Sequence, residues 1–233
     1  MRRKSEVARW VRRKWHGGHV RPAQFLFLLS LFLAIPRWSP WPEGEAAGAG
    51  ETSISAELRF SLSKLYRQFH LRPQELAVIV DVSEQKMYIM KEEQVLKSYS
   101  ISTSRYGMGS EEESFKTPLG THRVFEKIGQ DAPLGAIFQE RKTRGRIAEI
   151  RYDAVPREGD LITTRILPLA GQEENRNKGP GVDSQKRGIY IHGTPEEGLI
   201  GTPHSRGCIR MRNRDIMELF EMVPVGTLVE IQP

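Results

Sequence analysis

From Glu75 onward the chain breaks into short runs rich in β-branched and aromatic residues, separated by Gly, Pro and polar turn signals, and this texture limits the fold more than any other feature. Ala77-Val78-Ile79-Val80-Asp81-Val82 is apolar for nearly its whole length, as a strand covered on both faces requires. Lys86 to Met90 and Val95 to Ile101 flank Lys91-Glu92-Glu93-Gln94 and predict a hairpin. Further strands are predicted at 120–125, 161–167, 188–192 and 227–231. Helical spacing occurs in two places only. Leu58, Leu62, Leu65 and Phe69 predict a helix over 53–70, capped by Ser53 or Ser55 and stopped by Arg72-Pro73. Ile216, Leu219, Phe220 and Val223 predict another over 215–223, capped by Asn213. Many short strands with few helices imply a mainly β sandwich or barrel. No internal repeat is present.

The N-terminus has a different character. Residues 1–22 hold eight Lys or Arg and one Glu, a net +7 against +6 for the whole chain, so the other 211 residues carry −1. A nucleic-acid binder needs its basic stripe on the folded domain, and this distribution argues against that partner. The run from Ala23 to Ile35 has 13 uncharged residues and stops at Pro36-Arg37. Basic residues followed by a run of this length are the pattern of an export signal. As a helix the run spans about 20 Å, less than the roughly 30 Å apolar layer of a bilayer. Trp38 and Trp41 suit a membrane interface, and the only small-residue cleavage pattern, Ala47-Gly48-Ala49, lies far downstream. Residues 1–37 are thus read as a signal peptide or membrane anchor, 38–52 as a linker, 53–74 as a helical lead-in and 75–233 as the main domain, facing the outside of the cytoplasmic membrane.

An exported chain with one cysteine makes no internal disulfide. Cys208 is an intermolecular link, an inert buried side chain or a working thiol. Its surroundings are compatible with a working thiol but do not by themselves decide for one, because an inert buried cysteine is the commoner case. Ile189-Tyr190-Ile191-His192-Gly193-Thr194 reads as a strand ending in His-Gly, and Ser205-Arg206-Gly207-Cys208-Ile209-Arg210-Met211 sets the cysteine after a glycine. Only a thiolate attacks well, and a neighbouring imidazole takes the thiol proton, the ion pair lowering the thiol pKa. Gly207 permits a tight turn whose amides, with that of Cys208, would face an oxyanion, while Arg206 and Arg210 would favour a thiolate and an anionic substrate. One Cys with His192 and His204 lacks the paired spacing of a structural zinc site. Three polar stretches, 104–116, 171–186 and 194–206, are long enough to border a site.

These residues carry a resemblance. Ile191-His192-Gly193-Thr194 and Ser205 to Met211 resemble the signature of the L,D-transpeptidase (YkuD-type) catalytic domain, and 80–88, 116–121 and 224–231 are similar to its supporting segments. Over 75–233 the resemblance implies a β-rich domain acting on peptidoglycan stem peptides, with no metal or organic cofactor. It implies that Cys208 is the nucleophile attacking the carbonyl after the L-centre of diaminopimelate in a tetrapeptide, that D-alanine leaves, and that His192 is proton acceptor and donor. Gly193 matches the position whose carbonyl orients the histidine. The acceptor is diaminopimelate of a second stem, a lysine of a wall-attached lipoprotein, a D-amino acid or, for a carboxypeptidase, water. A catalytically inactive wall-binding module is the alternative. The motif departs from the family at Arg206, where a histidine is usual; arginine is no base at working pH, and His204 is the nearest substitute.

Overall fold

The computed structural model describes residues 54–157 and 159–233. The export segment at 1–37 and the linker at 38–52 lie outside them. Ten strands and two helices follow in the order α1 (Ala56–Phe69), β1 (Ala77–Asp81), β2 (Lys86–Lys91), β3 (Gln94–Ser100), β4 (Gly120–Val124), β5 (Ala136–Gln139), β6 (Lys142–Ile147), β7 (Ile162–Gly171), β8 (Tyr190–Gly193), β9 (Ile209–Met211), α2 (Asn213–Met222) and β10 (Leu228–Gln232). The predicted mainly β architecture with few short helices is what the chain forms.

The strands pair in the order β3-β2-β1-β10-β4-β7-β5-β6, and β8 and β9 branch from β7. Strand β7 serves two sheets. Its C-terminal residues pair with β4, its N-terminal residues with β5, and Thr163 and Ile166 to Pro168 with β8. The register shifts between Thr163 and Ile166, where Thr164 adopts φ 69°. A bulge bends a strand and raises its twist, and here it turns β7 from one sheet into the other. The Thr164 hydroxyl accepts from Gly135 N–H at 2.8 Å and donates to Asn213, holding a conformation unusual for a β-branched residue.

Alternation explains the packing of β1. Val78 and Val80 enter a core shared with Ile191, Ile209, Met211 and the inner face of α2, whereas Ala77 and Ile79 face Leu58, Leu62 and Leu65 of α1. Each fully buried leucine of α1 contributes about 2 kcal/mol of burial. Ser55 Oγ accepts from Leu58 N–H at 3.3 Å, so Ser55 is the cap. Helix α1 ends before Arg72-Pro73 because His70 turns left-handed at φ 55°.

One expectation is corrected and three strands are added. Asn213 does not cap α2; it is the helix's first residue, and Arg212 stands at the cap without a side-chain bond. The Asn213 side chain instead joins β7 to the segment after β8, accepting from Thr163 Oγ1 at 2.6 Å and donating to Thr194 O at 2.7 Å. Strands β5 and β6 form a hairpin that the sequence reading did not include. Strand β9, directly after Cys208, is likewise an element that the sequence reading did not include.

Candidate active site

Strands β8 and β9 run parallel, with Ile191 beside Ile209 and His192 beside Arg210. Side chains alternate along a strand. Ile191, Ile209 and Met211 therefore enter the apolar core, and His192 and Arg210 share the opposite face. Cys208, two residues before Arg210, opens the same face. The pairing of a three-residue strand thus sets positions 192 and 208 on one face.

His192 is fully buried, and its Nδ1 lies 2.7 Å from Gly193 O. A carbonyl only accepts, so Nδ1 carries the proton and Nε2 holds a lone pair. Among the described residues, that Nε2 is buried without a hydrogen-bond partner. Burial lowers the imidazole pKa below its usual value and Arg210 lowers it further, against the raising effects of the Asp160 carboxylate and the Gly193 carbonyl. At neutral pH the ring is an uncharged base. Gly193 is required by crowding, since a Cβ there would stand 2.7 Å from Asn213 Oδ1 and 2.8 Å from Thr163 O.

The turn before Cys208 is closed by its own side chains. Ser205, buried, donates from Oγ to Cys208 O at 2.6 Å and accepts from Gly207 N–H at 3.2 Å. Gly207 has φ 116°, and a Cβ would press on Ile189 and on the carbonyls of Phe115 and Lys116. Thr117 Oγ1 donates to Gly207 O at 3.1 Å, tying the 104–116 loop to the turn. The Gly207 amide is consequently engaged by Ser205 and is not a vacant oxyanion donor, contrary to expectation.

The Cys208 thiol donates to Gly188 O at 3.4 Å. Burial and then the Asp160 carboxylate push its pKa up to about 12, outweighing the Tyr190 amide, Arg210 and Arg187. Both shifts run against the expected thiolate–imidazolium pair and favour a neutral thiol beside a neutral imidazole. The reason is local: burial penalises both charged forms, and the cation that acts most on the thiol is already matched.

That cation is Arg210. It is buried, with guanidinium contacts to Asp160 Oδ1 at 2.6 Å and Glu196 Oε2 at 2.9 Å. Two carboxylates neutralise it, so it does not supply the free positive potential read from sequence; it braces the site, and breaking such a buried pair costs roughly 3–5 kcal/mol. Arg206 is exposed, its N–H donating to Asp160 Oδ2 at 3.0 Å and its guanidinium standing 5.5 Å from the Phe115 ring centre. His204 lines a cavity with Arg105, Arg157 and Arg206.

Asp160 and Glu196 were not singled out by sequence. Asp160 lies in an irregular stretch, and its importance comes from Arg210, 50 positions away. Glu196 sits within the third polar stretch but carries no motif.

The L,D-transpeptidase catalytic-domain family model matches residues 75–231. A Bacillus licheniformis protein named as the L,D-transpeptidase YkuD is 46% identical over 66 residues, 25% of this chain and 40% of that protein. The Bacillus subtilis protein named as the L,D-transpeptidase YqjB is 28% identical over 212 residues, 88% of this chain and 84% of that protein. Among solved structures, an L,D-transpeptidase from Mycobacterium smegmatis aligns with a TM-score of 0.42 at 17% identity, covering 68% of this chain and 59% of that one. The match to the first of these relatives thus spans 40% of its length. With more than half of its residues inside the family model, the chain belongs to the L,D-transpeptidase catalytic-domain family.

Proposed function

We propose that the chain is an exported peptidoglycan L,D-transpeptidase that works on the periplasmic or wall side of the membrane, with Cys208 as nucleophile and His192 as its base. The observation that carries this reading is the buried, unpartnered Nε2 of His192 on the face it shares with Cys208. A nitrogen fixed as an acceptor by the Gly193 carbonyl is suited to take a proton, and burial without a partner is otherwise costly.

The reaction begins from the uncharged pair. As Sγ attacks the carbonyl after the L-centre of diaminopimelate, its proton moves to Nε2. The tetrahedral intermediate collapses, the C–N bond breaks, and the imidazolium returns the proton to the departing D-alanine nitrogen. A thioester remains on Cys208. An acceptor amine then attacks it, His192 takes the amine proton, and that proton goes back to sulfur as the new amide forms. Arg210, locked between Asp160 and Glu196, keeps β9 in place while charge develops beside it.

Incubation of the folded, reduced protein with a carbapenem, followed by intact-mass measurement, tests the proposal. One covalent adduct is expected, lost in Cys208→Ala. Its rate should hold steady between neutral pH and pH 9 and fall on the acid side with a midpoint below the ordinary histidine value of about 6.5, because the depressed imidazole must be neutral to act. No adduct would sink the assignment; a thiol that titrates in the neutral range would sink the neutral-pair mechanism.

A further inference from the structure

A cavity of about 540 Å³ is lined by residues that include Arg105, Arg157, Arg206, Arg210, Asp160 and His204. Among the described residues its charge is lopsided. Asp160, the carboxylate of this set, is committed to Arg210 and to the Arg206 amide, and Arg157 reaches Asp153 at 3.2 Å. Among the described residues, neither Arg105 nor Arg206 has a carboxylate within ion-pair distance. Both guanidiniums are nevertheless held. Arg105 lies 5.1 Å from the Tyr106 ring centre and Arg206 5.5 Å from that of Phe115, and the two rings are 5.9 Å apart. Stacking on an aromatic face orients a guanidinium while leaving its N–H edge available. Arg210 is the link to the chemistry, since it lines the cavity and shares the strand face with His192 and Cys208, and the charge of its partner Asp160 acts on both of those groups.

We propose that Arg206 and Arg105 form a subsite for the carboxylate attached to the carbon next to the reacting nitrogen. This rests on Cys208 acting as an acyl carrier. The departing D-alanine bears a carboxylate on the carbon joined to its nitrogen. An accepting D-amino acid, or the D-centre of diaminopimelate, bears one in the same relation to the amine that attacks. The thioester is made and consumed at one carbonyl, so the leaving and entering nitrogens use the same place, and one carboxylate site serves both steps. Arginine matches a carboxylate with two parallel hydrogen bonds. A lysine side-chain amine has no such neighbour, and the subsite disfavours it. Arg206, where the family signature has histidine, thus acts in acceptor choice rather than in proton transfer.

The test is isotope exchange. The full chain is acylated with an unlabelled tetrapeptide stem and offered labelled D-alanine or labelled D-alaninamide, compared at equal concentrations of the free amine because the amide is the less basic, and incorporation is followed by mass. The unmodified protein should favour D-alanine in kcat/KM by about 10- to 100-fold, the range for hydrogen bonds to a charged group. Arg206→Gln and Arg105→Gln, both exposed positions, should each shrink that ratio, and the double variant should bring it close to one. Equal use of both amines by the unmodified protein, or a preference that survives the double variant, would overturn the subsite while leaving the acyl carrier standing. Failure of the tetrapeptide to acylate Cys208 would overturn the underlying function itself.

Discussion

His122 and His192 are both completely buried, and each sets Nδ1 against a main-chain carbonyl, Gly120 O at 2.9 Å and Gly193 O at 2.7 Å. They part at the other nitrogen. His122 Nε2 meets Ser184 Oγ at 2.9 Å, whereas His192 Nε2 is bare among the described residues. Burial lowers the pKa of both rings, to about 4 for His122, so both are neutral at working pH. Burial and neutrality therefore do not separate a working histidine from a structural one; the unmet acceptor does. A satisfied ring stabilises the fold, and a bare one costs stability while leaving a lone pair for chemistry.

Replacing each ring by leucine gives the largest expected contrast. His192→Leu should slow carbapenem acylation of Cys208 about 1,000-fold, the middle of the range for a lost general base. Its stability should change by less than about 1 kcal/mol, because one hydrogen bond and one unsatisfied nitrogen disappear together. His122→Leu should do the reverse, losing about 2–3 kcal/mol because Gly120 O and Ser184 Oγ are left unpaired, with folded protein still acylated normally. Acylation rates and denaturant midpoints measured on both variants check this, and a swap of the two outcomes would break the distinction.

Sequence made one histidine visible and hid the other. His192 stands in a motif, next to a glycine and sixteen residues before the lone cysteine. His122 sits in Gly-Thr-His-Arg-Val, and its partner Ser184 is 62 positions away in a polar loop, so no local pattern marks it. The same limit applies to Arg210. Its type predicted a free cation, but its state depends on Asp160 and Glu196, which only the folded chain delivers. Strands with buried faces, such as β1, announced themselves through Val and Ile. The edge strand β6, Lys-Thr-Arg-Gly-Arg-Ile, is exposed at every residue, so it lacks the alternation that burial imposes. Strand β9 is three residues long and too short for periodicity, yet it carries the register that brings His192 and Cys208 to one face.

Acid sharpens the comparison with a smaller effect. His122 takes up a proton near pH 4 when folded and near about 6.5 when unfolded. Between those values the unfolded chain binds more protons, so stability is complete above about 6.5 and falls as pH drops toward 4. The loss from this ring reaches about 3 kcal/mol, and His192 adds a loss of the same sign. Denaturation of the unmodified protein and His122→Leu at pH 7 and pH 4.5 should show a smaller acid penalty in the variant. An equal penalty would mean that the ring is not held neutral by the fold.

Ser184→Ala gives the smallest expected change and addresses the contrast most directly, because it makes the second histidine resemble the first. The Ser184 main chain should stay in place, since its N–H donates to Asn177 O at 2.9 Å and its carbonyl accepts from Ile189 N–H at 3.0 Å. What is lost is the hydroxyl that satisfies His122 Nε2, leaving a buried ring with Nδ1 on a carbonyl and Nε2 bare. Stability should fall by about 1–2 kcal/mol, the cost of one unsatisfied buried acceptor. The ring pKa should rise from about 4, because a hydrogen bond to the neutral form opposes protonation and its removal relaxes that opposition. No rise in acylation should accompany either change, since His122 lies on β4, which pairs with β10 and β7, and not on the β8–β9 pair that leads from Cys208. Ring titration by NMR and a denaturant midpoint measure both effects. If Ser184→Ala costs nothing, a bare buried nitrogen is cheap in this fold, and the empty Nε2 of His192 ceases to mark it as the base.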